Sequence, residues 1–227
     1  MCSLQPDGRV GAKVSSWGIV RDDELETHAH GTIDMHDGIV HSCNAYFAQL
    51  AVRVGPQALL DTAHLLGISI ARDDSLARVR ATLAHAGYGQ GDVVATPLRM
   101  ARVAAAIASG GVLREARIER TSNTAPTKTL LSANAATILG RDLRDAVLTG
   151  TGRSLSSHPL RIAGKTGTAE VNGAPSHAWF VGYAPYDRAD KRVAFAVIIE
   201  NAGYGGRAAA PAAGEIVTAA AASGLIR

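Results

Sequence analysis

Aromatic residues are scarce in this sequence, ten of 227, against 42 alanines. Alanine builds close-packed helices but buries little surface per residue, so a thin core is expected. Cysteine is nearly absent too: Cys2 and Cys43 are too few for a disulfide framework and do not settle the redox compartment. Only four of the 23 cations are lysine, and with a net charge of +3 there is no basic run to cradle a nucleic-acid backbone. Long apolar runs are missing. The longest is Val193 to Ile199, far below the roughly 20 residues of a membrane-spanning helix. The first residues show neither a cationic start nor an apolar h-region, so no signal peptide is visible. What remains is globular material, 47% hydrophobic and 19% charged, long enough for one to two domains.

Residues 1–31 read as an irregular lead-in, with Pro6-Asp7-Gly8 as a turn and no sustained period. Residues 32–148 read as mainly helical. Phe47, Leu50, Ala51 and Val54 line one face of a helix from Asn44 that ends at Gly55-Pro56. Pro56 opens a second that stops at Gly67, and Thr96-Pro97 opens a third reaching Gly110-Gly111. Ser132 starts a fourth, with Ile138, Leu139, Leu143 and Ala146 inward. Over 160–227 the period becomes that of strands: Ile162 to Glu170, His177 to Ala184 and Arg192 to Glu200. Links at Asn172-Gly173 and Asp187-Asp190 predict antiparallel neighbours. An alanine-rich helix, Ala209 to Ala222, closes the chain. The pattern predicts an α+β fold, an antiparallel sheet flanked by helices. Three strands is a small sheet for this length.

Gly164-Lys165-Thr166-Gly167-Thr168 is the strongest local signal. Glycines flanking a lysine let a second backbone or a ligand approach closely. The ammonium suits a carboxylate, and the hydroxyls of Thr166 and Thr168, on one strand face by alternation, can bond the same anion. Lys165 must reach that site along its flexible stem. The plainer reading is an exposed lysine on an edge strand. A phosphate loop is excluded, because the glycine it needs at position 159 is Pro159 and a strand, not a helix, follows. Ser42-Cys43-Asn44 is the second signal: serine with asparagine two residues on can relay a proton and orient a peptide amide. Capping of the next helix explains it equally, as it explains the second copy, Ser132-Ala133-Asn134.

Together these two signals form two parts of a three-part acyl-serine signature, which also needs Ser-x-x-Lys. His30 to Asp34, Ser42 to Phe47, Gly89-Gln90-Gly91-Asp92 with Ala95 to Leu98, Gly150-Thr151-Gly152, Gly164 to Glu170 and Trp179 to Tyr183 follow in order. In that order they resemble the transpeptidase domain of penicillin-binding proteins, class B more than the β-lactamases. The resemblance implies a β-lactamase/transpeptidase-like fold and a D,D-transpeptidase of peptidoglycan synthesis on the outer face of the cytoplasmic membrane. Its ligands would be D-Ala-D-Ala stem peptides and β-lactams. Ser42 would relay protons to the leaving group, and Asn44 would hold the substrate's amide side. Lys165 would sustain a positive field, Thr166, Gly167 and Thr168 would form the carboxylate-binding strand, and the Thr168 N–H would be one oxyanion donor. The Ser42 turn and the Lys165 strand are expected to face each other across one groove.

The sequence also departs from that family. Three residues before Lys13, Lys128, Lys165 and Lys191 stand Val10, Ala125, Ile162 and Arg188, so no Ser-x-x-Lys occurs. The expectation is a domain incomplete on its N-terminal side, lacking nucleophile and first strands, with the remainder upstream and no covalent activity alone. Two further readings stay open: a β-lactamase or β-lactam sensor of the same fold, and a noncatalytic binding module for D-Ala-D-Ala peptides. The cluster His28, His30, His36 and His41 offers a His-x-His pair of the kind zinc hydrolases use, but its spacing fits no standard site. No metal and no cofactor are expected. Cys43 is expected to pack as a small buried residue, not to act as a nucleophile. Tyr204-Gly205-Gly206-Arg207 reads either as a turn or as a way to bring Arg207 to a site mouth.

Overall fold

The computed structural model describes residues 1–24, 26–119, 126–189 and 191–226. They form two compact units, Met1–Ala95 and Thr96–Arg227.

The first unit does not open irregularly. Strands β1 (Ser3–Leu4), β2 (Val10–Lys13) and β3 (Ile19–Arg21) make an antiparallel sheet, with Ala12 opposite Val20. Each strand is too short to display an alternating period, and this hid the sheet from the sequence. Its inward residues are nonetheless committed: Val10, Ala12 and Val20 are buried. Four helices follow, α1 (Met35–His41), α2 (Asn44–Val54), α3 (Pro56–Leu66) and α4 (Leu76–Ala86). The second and third match the expected bounds to a residue or two. The fourth was not expected. It has Ser75 as an N-cap, its side chain accepting from the Arg78 N–H at 3.1 Å, and it buries Val79 and Leu83. A small core of Ala51, Leu60, Ala63, Val79 and Leu83 joins α2, α3 and α4.

In the second unit, α5 (Pro97–Ala108) and α6 (Ala133–Leu148) begin at the hydroxyl caps read from the sequence. Thr96 accepts from the Arg99 N–H and Ser132 from the Ala135 N–H, each worth about 1 kcal/mol. Between them lies a hairpin of β4 (Val112–Arg114) and β5 (Thr127–Thr129). The main sheet is β6 (Ala163–Val171), β7 (Ala174–Ala184) and β8 (Val193–Ile199), antiparallel and in that spatial order. Asn172-Gly173 makes the first link as expected; Asp190, in the second, lies outside the described residues. Helix α7 (Ala209–Ala222) covers this sheet. Ala209, Ala213 and Val217 of α7 join Phe180 and Phe195, whose rings stack 6.2 Å apart, in one core. Alanines on a helix allow close approach to the sheet, so a chain poor in aromatics still closes its core around two phenylalanines. Among the described residues no strand pairs with the outer side of β6 or of β8.

Candidate functional site

In the second unit the candidate groups gather on β6. The strand runs through Gly164, and glycine is required there: a Cβ would lie 2.6 Å from the Phe180 ring and 2.7 Å from the Val181 carbonyl oxygen. In register, Lys165 faces Val181, Thr166 faces Phe180, Gly167 faces Trp179 and Thr168 faces Ala178. The expected detour of the lysine stem is present. Lys165 Nζ lies 3.1 Å from the Thr166 carbonyl oxygen and 3.4 Å from Thr166 Oγ1. It also reaches Thr151 Oγ1 at 3.4 Å, and Thr166 Oγ1 donates to the same Thr151 oxygen at 2.6 Å. Thr151 sits in Gly150-Thr151-Gly152, a motif used for the resemblance without any role given to its hydroxyl. It is the site residue that sequence reasoning missed.

Lys165 keeps some accessible surface, yet protein atoms crowd its ammonium. That desolvation alone pulls its pKa down to about 8. It is still mostly protonated at neutral pH, held by oxygen atoms rather than by a carboxylate. A cation of this kind is poised to take an anion from outside.

The turn after β8 closes on the same strand. A Cβ on Gly205 would fall 2.3 Å from the Trp179 carbonyl oxygen and 2.4 Å from that of Gly167, so only glycine lets this turn lie against β6 and β7. Arg207, exposed on that turn, stands over the Tyr204 ring at 5.7 Å. Ser154 Oγ donates to the Gly206 carbonyl oxygen at 3.3 Å, tying the turn to the segment that carries Thr151.

The first unit holds Ser42 and Asn44. Ser42 terminates α1 in the left-handed conformation, φ 59° and ψ 43°, where a non-glycine residue is strained. Its side chain makes no hydrogen bond to the described residues. Neither it nor Asn44 caps α2. That work falls to Cys43, whose sulfur accepts from the Tyr46 N–H at 3.4 Å. Asn44 Nδ2 instead donates to the Arg21 carbonyl oxygen at 3.2 Å, fastening the start of α2 to the end of β3. Capping therefore does not account for Ser42-Cys43-Asn44.

Cys43 is fully buried, as expected of a small packing residue, but its neighbours are polar. Ligand atoms of Cys2, Asp22, His30 and Cys43 lie within 4.8 Å of one another. Asp22 Oδ2 accepts from Cys2 Sγ at 3.1 Å and from Cys43 Sγ at 3.2 Å, and lies 3.3 Å from His30 Nδ1. Contact with Cys43, burial and the Asp22 charge push the Cys2 thiol up, whereas contact with Cys2 holds Cys43 below the usual thiol value. Burial opposes charge on His30, but Cys43, Glu26 and Asp22 outweigh it and its pKa is raised. The His-x-His pair considered from sequence does not form: the His28 side chain is 92% exposed, the His30 side chain 6%.

The chain matches the family model of the penicillin binding protein transpeptidase domain over residues 8–218. It is 31% identical over 223 residues to the peptidoglycan D,D-transpeptidase PbpA of Mycobacterium tuberculosis, covering 83% of this chain and 44% of that protein. It is 27% identical over 226 residues to the peptidoglycan D,D-transpeptidase MrdA of Acinetobacter baumannii, covering 79% and 33%. Among solved structures it resembles an acyl-enzyme complex of penicillin-binding protein A from M. tuberculosis, with a TM-score of 0.70, 29% identity, and 83% and 48% of the two chains covered. It also resembles a D,D-transpeptidase domain from Eggerthella lenta, with a TM-score of 0.74, 26% identity, and 91% and 58% covered. The chain spans less than half the length of the curated relatives named here.

Proposed function

This chain belongs to the penicillin-binding protein transpeptidase family, and from that premise we propose that it supplies substrate-recognising elements of a peptidoglycan D,D-transpeptidase. The fold is α+β, an antiparallel sheet flanked by helices, as in the structures it resembles. The observation that carries the reading is the ammonium and two hydroxyls of Lys165, Thr166 and Thr151, two of them on the strand β6 and the third on the turn that meets it.

The stem peptide ends in a carboxylate. Lys165 supplies the positive field for it, and Thr166 and Thr168 supply hydroxyls that read its oxygens. The outer side of β6 offers backbone groups to an extended peptide, which can add as a further strand, and Gly167 removes the side chain that would hold it off. In acyl transfer a serine oxygen attacks the carbonyl carbon of the penultimate D-Ala, the oxyanion gathers charge, and the terminal D-Ala leaves as an amine. The Thr168 N–H would be one donor to that oxyanion, worth about 3 kcal/mol to the barrier. Ser42 would pass the proton to the departing amine, a task supported by a hydroxyl that makes no hydrogen bond to the described residues. Asn44, held to Arg21, would hold the amide of the donor peptide. The acyl group then passes to the amine of a neighbouring stem.

The nucleophile is another matter. No Ser-x-x-Lys occurs in this sequence, so the chain alone binds substrate and β-lactam without acylation. Membership of that family supports work at the outer face of the cytoplasmic membrane; among the described residues no helix is long and apolar enough to cross that membrane.

Two measurements on the whole chain test this. A D-Ala-D-Ala-terminated peptide is expected to bind weakly and to lose that binding in Lys165→Ala. Fluorescent penicillin is expected to leave no covalent band on a denaturing gel. Unchanged peptide binding in the variant would remove Lys165 from recognition, and a covalent band would show a nucleophile within this chain.

A further inference from the structure

We propose that Arg207 is a specificity residue of the peptide site, a guanidinium fork that selects ligands ending in a free carboxylate over the same ligands ending in an amide. The inference rests on the transpeptidase reading and adds to it a residue that β6 does not carry.

The turn between β8 and α7 brings Arg207 to the cluster, along a path set by close backbone approaches. Gly205 lies against the carbonyl oxygens of Gly167 and Trp179. At Gly206 a Cβ would fall 2.5 Å from the Thr151 carbonyl oxygen and 3.7 Å from Thr166 Cγ2. Arg207 is the next residue. Its stem therefore starts one step from the two threonines whose hydroxyls surround the Lys165 ammonium. The turn closes without the arginine side chain: the Arg207 and Ala208 N–H groups donate to the Tyr204 carbonyl oxygen, each at 3.0 Å, and the Ala210 N–H donates to that of Gly205 at 2.9 Å.

The fold makes little use of that side chain. It is exposed, and among the described residues it forms no ion pair and no hydrogen bond. The guanidinium stands 5.7 Å from the centre of the Tyr204 ring, within cation–π range. A planar cation already laid on an aromatic face loses less freedom when it takes a ligand. Exposure alone would suit any surface arginine. The position beside the cluster is the specific observation.

The charges gathered there share one sign. Lys165 is held by hydroxyl and carbonyl oxygens, and among the described residues no carboxylate pairs with it or with Arg207. Helix α7 begins just beyond Arg207 with no side-chain cap and no acidic residue in its first turn, so its N-terminal dipole adds to the same field. Lys165, its pKa pulled down to about 8 by desolvation, gives up part of its charge just above neutral pH, whereas an arginine keeps its charge throughout. A carboxylate arriving at β6 thus meets a point charge from Lys165 and two parallel N–H donors from Arg207. An amide in that place carries no charge and turns its own NH2 donors toward two cations.

Two peptides test this on the whole chain: an N-acetylated peptide ending in D-Ala-D-Ala, and the same peptide with a C-terminal carboxamide. Titration calorimetry is expected to show the acid bound more tightly. Arg207→Gln is expected to weaken the acid by roughly 5- to 10-fold and to leave the amide unchanged. Arg207→Lys keeps the charge without the fork and is expected to fall between the two. The melting temperature should not move in either variant. An unchanged preference for the acid in Arg207→Gln, an equal loss for both peptides, or a lower melting temperature would overturn the role of Arg207 and leave the transpeptidase reading to the Lys165→Ala result. A chain that binds neither peptide would overturn both together.

Discussion

Thr166 Oγ1 donates a 2.6 Å hydrogen bond to Thr151 Oγ1, and Lys165 Nζ reaches both oxygens at 3.4 Å. The segment before β6 and the strand itself thus present one ammonium and two hydroxyls as a unit. Thr151 holds no charge, but its hydroxyl oxygen accepts from both of the other groups.

Thr151→Val keeps the shape of that residue and removes the oxygen. One hydrogen bond to the cluster is worth about 0.5–1.5 kcal/mol, so affinity for a D-Ala-D-Ala peptide should fall by roughly 2- to 10-fold. Titration calorimetry reads this directly. Equal affinity would leave Thr151 without a role in binding.

Lys165 makes the site sensitive to pH. Its pKa in the folded chain is about 8, against about 10.4 in an unfolded one. Peptide carboxylate binding should therefore hold at neutral pH and decline as pH rises through 8, where the ammonium loses its proton. Folding stability moves the other way. The unfolded state binds more protons between pH 8 and 10.4, so this group's unfavourable contribution, complete below pH 8, is relieved across that window. In Lys165→Met both trends should vanish, which thermal melts and binding titrations across the range would reveal.

Gly164→Ala places a methyl carbon 2.6 Å from the Phe180 ring and 2.7 Å from a backbone oxygen. The backbone oxygen cannot yield as a flexible side chain would. A loss of about 1–3 kcal/mol is expected, seen as a lower melting temperature of the sheet unit.

Ser42→Gly should act in the opposite sense on stability. Relief of the left-handed strain at φ 59° is worth about 1 kcal/mol, while deletion of the hydroxyl should abolish whatever proton relay it performs. A denaturant melt with a higher midpoint, together with loss of transfer activity in the complete enzyme, is the expected pair. A lower midpoint would show that no strain is stored there.

The sequence made the second unit easier to read than the first. Thr96-Pro97 and Ser132 cap helices by a local rule, and the strands of the main sheet are long enough for β-branched and aromatic residues to reveal their period. Lys165 was legible for the same reason, since a strand with glycines on both sides of a lysine announces itself. Thr151 was not, because the bond that gives it meaning forms across a turn. In the first unit, β1 to β3 are too short for a period, and α4 carries only a serine cap at Ser75 and two inward residues, Val79 and Leu83, as its sequence signal. The Cys2, Asp22, His30 and Cys43 group was illegible for a deeper reason. Its members are joined only by the folding of that small sheet onto α2, and the histidines nearest each other in sequence were a false lead.

Among the described residues no strand lies on the outer side of β6 or of β8, and this sets a practical limit on the protein. A sheet edge with no neighbouring strand can accept an extended segment, another copy included, and two such edges on one sheet permit chains of copies without end. Concentrated solutions should therefore lose monomer to ribbon-like polymers, and a saturating D-Ala-D-Ala peptide should slow that loss by blocking one flank.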